Sequence, residues 1–295
     1  SGAISYRDSD GVSVAAIQTT DSASVITGDA ITQTGTILAN ALTVKTLKDG
    51  GAAITLNNSG NAVASVDLRS RNAADSANAA GAISYRDTDG VSVTAIPTTS
   101  SATLTAGDAI TQTGAILADA LVVKTLKVGG ANITLANSSD TVTSVDLRAR
   151  NAADSADAAG AISYVDTNGF DVVKVSTTAG ATLTASGAVT QSGSIAARAL
   201  VVKTLSNAGA SITLADSTNA VTSIDLRTRN AADTADAAGT ISYRDTDGFD
   251  VAKISTTENA TLRSGAAVTQ SGSIAAAGLE LLGSGPYTLT NTAND

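Results

Sequence analysis

Apolar residues along this chain alternate with polar ones in short runs, and each run is bounded by Gly, Asn or Asp. In the run VDLRSR at positions 66–71, Val66 and Leu68 face one side and the polar residues between them face the other. This period of two, with many β-branched residues, indicates β-strands. The best helix candidate, 72–80, is too short to form a stable helix and is expected to be a protruding loop or one helical turn. The pattern therefore predicts an all-β protein.

The same series of strands returns with a fixed period along the chain. The sequence Gly-Ala-Ile-Ser-Tyr begins at Gly2, Gly81 and Gly160, which are equally spaced, and a variant with Thr in second place begins one period later at Gly239. The motif Ile-Thr-Gln-Thr-Gly, which begins at Ile31, follows the same period. A fixed period of this kind is the signature of a repeat architecture. The repeats are 2–80, 81–159, 160–238 and 239–295, the last one partial and divergent.

Two architectures fit repeats as long as the segment 2–80: a string of small β-sandwich domains, or a stack of solenoid coils. Isoleucines that follow Gly and Ala recur at intervals close to one third of the repeat, at Ile83, Ile110, Ile133 and Ile162. These intervals predict about three coils of roughly 26 residues in each repeat, and a rod of about eleven coils roughly 50 Å long. We therefore predict a parallel β-helix that runs as one domain through residues 1–295, with tandem sandwiches as the alternative.

Composition favours the solenoid and excludes several kinds of chemistry. Only 2% of the residues are aromatic, which suits a narrow core better than the thick core of a sandwich. The absence of Cys and His excludes thiolate nucleophiles, catalytic triads and the usual zinc sites. A net charge of −9 argues against nucleic acid as a partner. No apolar run of about 18 residues is present, so we expect no membrane-spanning helix.

The motif Asp-x-Asp-Gly is the strongest candidate for a ligand-binding site in the chain. It occurs at Asp8, Asp87 and Asp245, and as Asp-Thr-Asn-Gly at Asp166. Paired carboxylates beside Gly are typical of the start of a calcium loop, although the later ligands of such a loop are missing here. Asp-Gly and Asn-Gly between apolar runs are also strong turn signals. The turn is the favoured interpretation and a cation site is the alternative.

Three other repeated features have a structural and a functional interpretation. Asp67, Arg69 and Arg71 are interpreted as a solvated strand face rather than a glycan-binding or lyase site, because the cluster recurs in three repeats. The repeated tyrosines are in phase with isoleucines and are expected in the core rather than in a sugar-stacking row: Tyr6, Tyr85, Tyr164 and Tyr243. The Thr-x-Thr strands are expected to recur only every third coil, too rarely for an ice-binding ladder. The asparagines that follow the charged strand are interpreted as turn residues: Asn72, Asn151 and Asn230.

Several segments together resemble the repeats of filamentous haemagglutinin-type large exoproteins. They are the Ile-Thr-Gln-Thr-Gly motif, LVVKTL at 121–126, ANITLAN at 131–137, TVTSVDL at 141–147 and the terminal stretch 278–291. The resemblance covers essentially the whole chain as a style of repeat. It implies a right-handed parallel β-helix in the shaft of a giant secreted adhesin, exported unfolded through a partner barrel by two-partner secretion. The secretion domain and a receptor-binding tip of that family are absent from this sequence.

The function expected from these observations is structural. We predict a shaft segment of a secreted bacterial cell-surface adhesin or filament, located outside the cell, with lateral or end-to-end association between copies. The shaft would display distal binding regions, and the host or neighbouring-cell surface is the expected partner of those parts outside this sequence. The chain lacks Met and begins inside a repeat motif, so we expect it to be a piece of something longer. No enzyme activity, catalytic residue, cofactor or bound metal is expected. The alternatives are a carbohydrate-active β-helix enzyme and a calcium-rigidified adhesin of tandem sandwiches.

Overall fold

A computed structural model describes residues 2–295, and this part of the chain contains 28 β-strands and no helix. The first repeat contains β1 Ile4–Arg7, β2 Val12–Val14, β3 Ile17–Gln18, β4 Ser22–Thr27, β5 Ile31–Gln33, β6 Ile37–Leu47, β7 Ile54–Leu56 and β8 Ala62–Arg71. The second contains β9 Ile83–Asp87, β10 Val91–Pro97, β11 Ser101–Ala106, β12 Ile110–Gln112, β13 Ile116–Leu126, β14 Ile133–Leu135 and β15 Thr141–Arg150.

The third repeat contains β16 Ile162–Asp166, β17 Phe170–Ser176, β18 Gly180–Ala185, β19 Val189–Gln191, β20 Ile195–Leu205, β21 Ile212–Leu214 and β22 Ala220–Arg229. The fourth contains β23 Ile241–Asp245, β24 Asp250–Ser255, β25 Asn259–Ser264, β26 Thr269–Gln270, β27 Ile274–Ala275 and β28 Gly278–Gly283. All pairings between these strands are parallel, and the strands stack as a β-solenoid of about 14 turns. The predicted parallel β-helix is confirmed, and tandem sandwiches are excluded.

The core is a narrow stack of inward-facing side chains. Each inward residue lies against its register partner on the next coil, about 4.8 Å along the axis. One such column crosses six successive coils with every member almost fully buried: Ile31, Ile54, Ile83, Ala102, Leu121 and Val145. Aliphatic residues of this size fill the interior, and the rarity of aromatic residues follows from the thinness of the coil.

The strands form two main ladders, and successive repeats exchange them. In the second repeat, β9, β11, β13 and β15 belong to one ladder, whereas β10, β12 and β14 belong to the other. In the third repeat the assignment is reversed, because β16, the equivalent of β9, stacks on β14, and β17 stacks on β15. Seven strands at two per coil make three and a half coils, close to the predicted three.

This half coil turns each repeat by about half a revolution relative to the one before it. Equivalent residues of neighbouring repeats therefore lie on opposite sides of the rod. Residues two repeats apart lie on the same side, seven coils or roughly 34 Å apart along the axis. The whole stack of about 14 coils is roughly 65 Å long, which is longer than the predicted rod because the coils are shorter than predicted.

The predicted stacking of isoleucines is right at two steps and wrong at one. Ile110, Ile133 and Ile162 are register partners on consecutive coils, as their spacing indicated. Ile83, however, stacks on Ala102, which is nearer in the sequence, and not on Ile110. The reason is that the segment 101–106 is itself a strand, which adds a coil that the isoleucine spacing does not reveal.

Glycine in the Ile-Thr-Gln-Thr-Gly motif is required by a bulge on the neighbouring coil. Thr94 is an extra residue between Val93 and Ala95, where the register of β10 against β8 shifts. Its carbonyl oxygen points at the next coil, where a Cβ atom on Gly114 would lie only 1.8 Å away. The glycines of the other three copies face the same contact: Gly35, Gly193 and Gly272.

The half-coil offset can be tested by disulfide trapping, since the chain has no cysteine of its own. Ser84 and Thr103 are register partners on adjacent coils, so the double variant Ser84→Cys with Thr103→Cys is expected to oxidise within one molecule. The control is Ser84→Cys with Thr111→Cys, which has the spacing of the predicted isoleucine stack but lies across the two ladders. Equal yields of intramolecular disulfide from the two variants would contradict the offset.

Candidate functional sites

The Asp-x-Asp-Gly motifs are turns in which the first aspartate is an internal hydrogen-bond acceptor. Asp87 Oδ2 accepts hydrogen bonds from the Tyr85 hydroxyl at 2.5 Å and from the Val63 amide at 3.0 Å. Its Oδ1 accepts from the Asp89 amide at 2.9 Å, which closes the turn. Asp166 and Asp245 make the same three contacts in their repeats. The turn interpretation is confirmed for these three copies.

Burial raises the pKa of both the aspartate and the tyrosine in the Tyr–Asp pair. Asp87 is 2% exposed, and desolvation raises the pKa of its carboxyl above the ordinary value. Desolvation also raises the pKa of the Tyr85 phenol, with the neighbouring carboxylate as the second cause. Because both carboxylate oxygens already accept hydrogen bonds, the motif offers a cation few free ligands. Among residues 2–295 no group of three acidic side chains is placed to hold a metal ion.

The repeated tyrosines are all predicted in the core, and the prediction is confirmed for three of the four. Tyr85, Tyr164 and Tyr243 are at most 1% exposed. Tyr6 is 43% exposed, because it lies in the first coil and has a register partner, Val25, on one side only. These side chains form no accessible row on which sugars could stack.

The charged cluster on the longest strands is a set of ion pairs on the outer face. Arg69 donates two hydrogen bonds to the Asp67 carboxylate, from Nε to Oδ1 at 2.5 Å and from Nη2 to Oδ2 at 2.7 Å. Asp75 accepts from Lys45 at 2.6 Å and from Arg71 at 3.0 Å, and the Lys45 ammonium is the main cause of its lowered pKa. The second and third repeats contain the same pairs. Each cation of the cluster is matched by a carboxylate, which supports the solvated-face interpretation.

Asn72 closes the protruding loop 72–80, as expected of a turn residue. Its side-chain oxygen accepts from the amides of Ser76 at 2.9 Å and Ala77 at 3.1 Å. An antiparallel bridge joins Arg71 to Asn78 at the base of the loop, and Asp75 has a positive φ of 54°. The loop contains no helical turn. Because of the half-coil offset, the equivalent loops project alternately from opposite sides of the rod.

A column of single Ser and Thr hydroxyls includes one of the Thr-x-Thr strands. Outward hydroxyls follow one another on five successive coils, in a column that the sequence spacing alone did not reveal. Its members are Ser13, Thr32, Thr55, Ser84 and Thr103. These are single hydroxyls, and the Thr-x-Thr pair does not recur on each coil: Thr32 and its equivalent Thr111 lie on different ladders. The column ends at Val122, and the outward position beside Ser84 is the cation Arg86, so the hydroxyls form a single file and not a flat double row.

Sequence reasoning missed a polar cluster at one corner of the coils. Asn61 is fully buried, and its Oδ1 accepts from the Ile37 amide at 2.9 Å. Its Nδ2 donates to the backbone oxygens of Arg86 at 3.0 Å and Leu56 at 3.3 Å, and to Gln33 at 3.2 Å. Asn219 makes the same contacts two repeats later. The available signal is a Gln and an Asn that keep the same separation in both repeats.

The second repeat has Asp140 where the others have asparagine. Asp140 is fully buried, and Oδ1 accepts from Gln112 at 2.5 Å and from the Ile116 amide at 2.8 Å. Oδ2 takes the place of the donating amide nitrogen, and it is the one buried side-chain polar atom in residues 2–295 without a hydrogen-bond partner. Desolvation, assisted by the nearby Asp166 carboxylate, raises the pKa of Asp140 to about 7.

Comparison with known proteins gives one family. A family described as repeats of unknown function (DUF5649) matches residues 1–68, 80–148, 159–225 and 238–295. The chain belongs to this repeat family. Most of each protruding loop falls between the matched segments, so the family pattern follows the coils. No curated protein and no solved structure matches the chain.

Calcium is expected to leave the stability of the protein unchanged, because the first carboxylate of the Asp-x-Asp-Gly motif already accepts hydrogen bonds at both oxygens. The melting temperature would be measured with millimolar Ca²⁺ and again with excess chelator. The two values should agree within error. A rise in calcium that the chelator reverses would contradict the turn interpretation.

Asp140→Asn is expected to stabilise the protein, and more at pH 8 than at pH 5. The raised pKa means that the folded state holds the proton more tightly than the unfolded state, so ionisation of Asp140 lowers stability as the pH rises from about 4 to about 7. Removal of an unpaired buried oxygen is worth roughly 1–3 kcal/mol.

The free energy of unfolding of both proteins would be measured across this pH range. The buried Tyr85–Asp87 and Tyr243–Asp245 pairs are present in both proteins, so their titration cancels in the difference, whereas the Tyr164–Asp166 pair is coupled to Asp140 and contributes to it. The reverse change, Asn61→Asp, is the matched control and should introduce the same pH dependence in the first repeat. A difference between Asp140→Asn and the parent that does not vary with pH would exclude titration of Asp140.

Proposed function

We propose that this chain is a shaft segment of a secreted bacterial cell-surface adhesin or filament, similar to the filamentous haemagglutinin-type exoproteins. The observation that carries the proposal is the uninterrupted solenoid: parallel strands pair from β1 to β28 without a break between repeats. A stack of this kind transmits force through its axial hydrogen bonds. Its length grows with the number of repeats, so it holds whatever follows it at a set distance.

The distribution of chemical groups supports a mechanical role. The carboxylates and guanidinium groups of the repeated clusters are paired with one another, and they recur with the scaffold instead of gathering in one cleft. In the described part of the chain, no helix is long and apolar enough to cross a membrane. The proposed location is the outside of the cell, after export in an unfolded state. A chain without cysteine cannot be trapped by disulfides during such export.

Homotypic association belongs to the same proposal. The half-coil offset gives the rod two opposite sides with the same series of residues, displaced along the axis by one repeat. A lateral contact between two copies on one side is therefore available on the other side as well. Contacts of this type produce sheets or bundles rather than closed dimers.

The shaft proposal predicts that length follows repeat number. Deletion of 81–159 joins Ala80 to Gly160, which restores the normal junction, and is expected to shorten the rod by roughly 17 Å out of 65 Å. Small-angle X-ray scattering on both proteins would measure the maximum dimension. Antibodies against the chain, applied to intact source cells with gold labelling, would test its location.

Surface labelling together with the shorter rod is the expected outcome. A deletion variant of unchanged maximum dimension would contradict the additive shaft. Labelling found only after the cells are broken open would contradict the surface location.

A further inference from the structure

The second and fourth repeats present equivalent recesses on the same side of the rod. In the second repeat the recess is about 180 Å³ and is lined by Ser59, Arg86, Asp87, Thr88, Gly107, Leu126 and Ala152. In the fourth repeat it is about 530 Å³ and includes the equivalents of five of these residues: Ser217, Arg244, Asp245, Thr246 and Gly265.

Two replacements distinguish the larger recess. The three earlier repeats have leucine at the position of Ser284, and in the second repeat this residue is Leu126. The apolar side chain that lines the smaller recess is therefore replaced by a hydroxyl in the larger one. Arg263 stands where the second and third repeats have threonine. Both replacements make the fourth recess more polar, and the second adds a positive charge.

Arg263 and Arg244 are direct register partners on the parallel strands β25 and β23. Their Cα atoms are therefore about 4.8 Å apart, and both side chains leave the same face of the sheet. Within residues 2–295 neither guanidinium makes an ion pair or a side-chain hydrogen bond, whereas the repeated Lys and Arg cluster is fully paired. Two adjacent like charges repel each other, and an anion between them would remove that cost.

Two carboxylates close to the arginines accept hydrogen bonds from other groups and form no ion pair with them. Asp245 is buried, and its oxygens accept from Tyr243 at 2.5 Å and from the amides of Val221 and Asp247. Asp216 accepts from the Thr218 hydroxyl at 2.5 Å, and this hydrogen bond is the main cause of the lowered pKa of Asp216, to which the charge of Arg244 also contributes. The guanidinium groups are therefore available, and each presents a planar fork of donors that fits an oxyanion.

We propose that this recess binds the carboxylate or sulfate group of an acidic saccharide. The two guanidinium groups hold the oxyanion, and the Ser217 and Thr246 hydroxyls, which line the same recess, contact the sugar. Gly265 and Gly283 keep its floor free of side chains. The recess is larger than a single small ion requires. This binding is independent of the shaft role, since it depends on one recess and not on the repeat.

The test is a calorimetric titration of the whole protein at low ionic strength with four probes: a galacturonate oligosaccharide, a sulfated oligosaccharide, a neutral oligosaccharide and inorganic sulfate. Binding of one or both acidic oligosaccharides is expected. Arg263→Thr, which installs the residue of the second and third repeats, should weaken it by about tenfold or more. Arg86→Thr, the matched change in the small recess of the second repeat, should leave it unchanged.

Three results would overturn the proposal: no binding of either acidic oligosaccharide, equal binding of the neutral oligosaccharide or of sulfate alone, or loss that is the same in the two arginine variants. Ser284→Leu provides a further check, because it refills the wall without removing a charge and should also weaken binding. An unchanged melting temperature and rod length in each variant would show that the shaft is intact. A failed titration therefore leaves the shaft proposal standing.

Discussion

Axial hydrogen bonding between parallel coils is the constraint on which the rest of this molecule depends. Apart from the strands at the two ends of the stack, each strand pairs with strands on the coils before and after it, so the register between coils decides which side chains stack. A shift of one residue would turn an entire strand inside out. The bulges are tolerated because the neighbouring coil has glycine at the point where the extra carbonyl protrudes, as Gly114 does beneath Thr94. Sequence and register are therefore matched coil by coil.

The half-coil offset follows from this matching and changes how the repeat is used. A repeat of three and a half coils places each strand between neighbours of a different kind, and never beside its own equivalent. Tyr85, for example, lies between Leu56 and Leu104 rather than beside another tyrosine. The Tyr85 ring thus has a smaller aliphatic residue on each adjacent coil, which a narrow core can accommodate. The offset also places the protruding loops and ion-pair clusters of successive repeats alternately on two sides of the rod.

Much of the fold could be predicted from the chain, and the exceptions have physical causes. Period-two alternation indicates β-strands throughout the chain, and the four Asp-x-Asp-Gly or Asp-Thr-Asn-Gly motifs indicate turns between them. The segment SATLTA at 101–106 was missed as a coil of its own because its alternation is between small residues and carries little hydrophobic contrast. Once that strand is counted, Ile83 and Ile110 fall on different ladders. The spacing between similar residues therefore gives the correct length of the repeat but overestimates the length of the coil.

The candidate sites were less predictable, because they depend on contacts between residues far apart in sequence. The buried role of Asn61 depends on the backbone carbonyl of Leu56 and on that of Arg86 in the next repeat, and no local pattern encodes that meeting. The same holds for Arg244 and Arg263, which belong to different strands and are adjacent only through the register. The regular scaffold makes such differences informative. Where a residue differs from its equivalents in the other repeats and the replacement does not improve packing or hydrogen bonding, we infer that it has another role. Asp140 departs inside the coil, where it costs stability, and the arginine pair departs outside, where it leaves two positive charges available to a ligand.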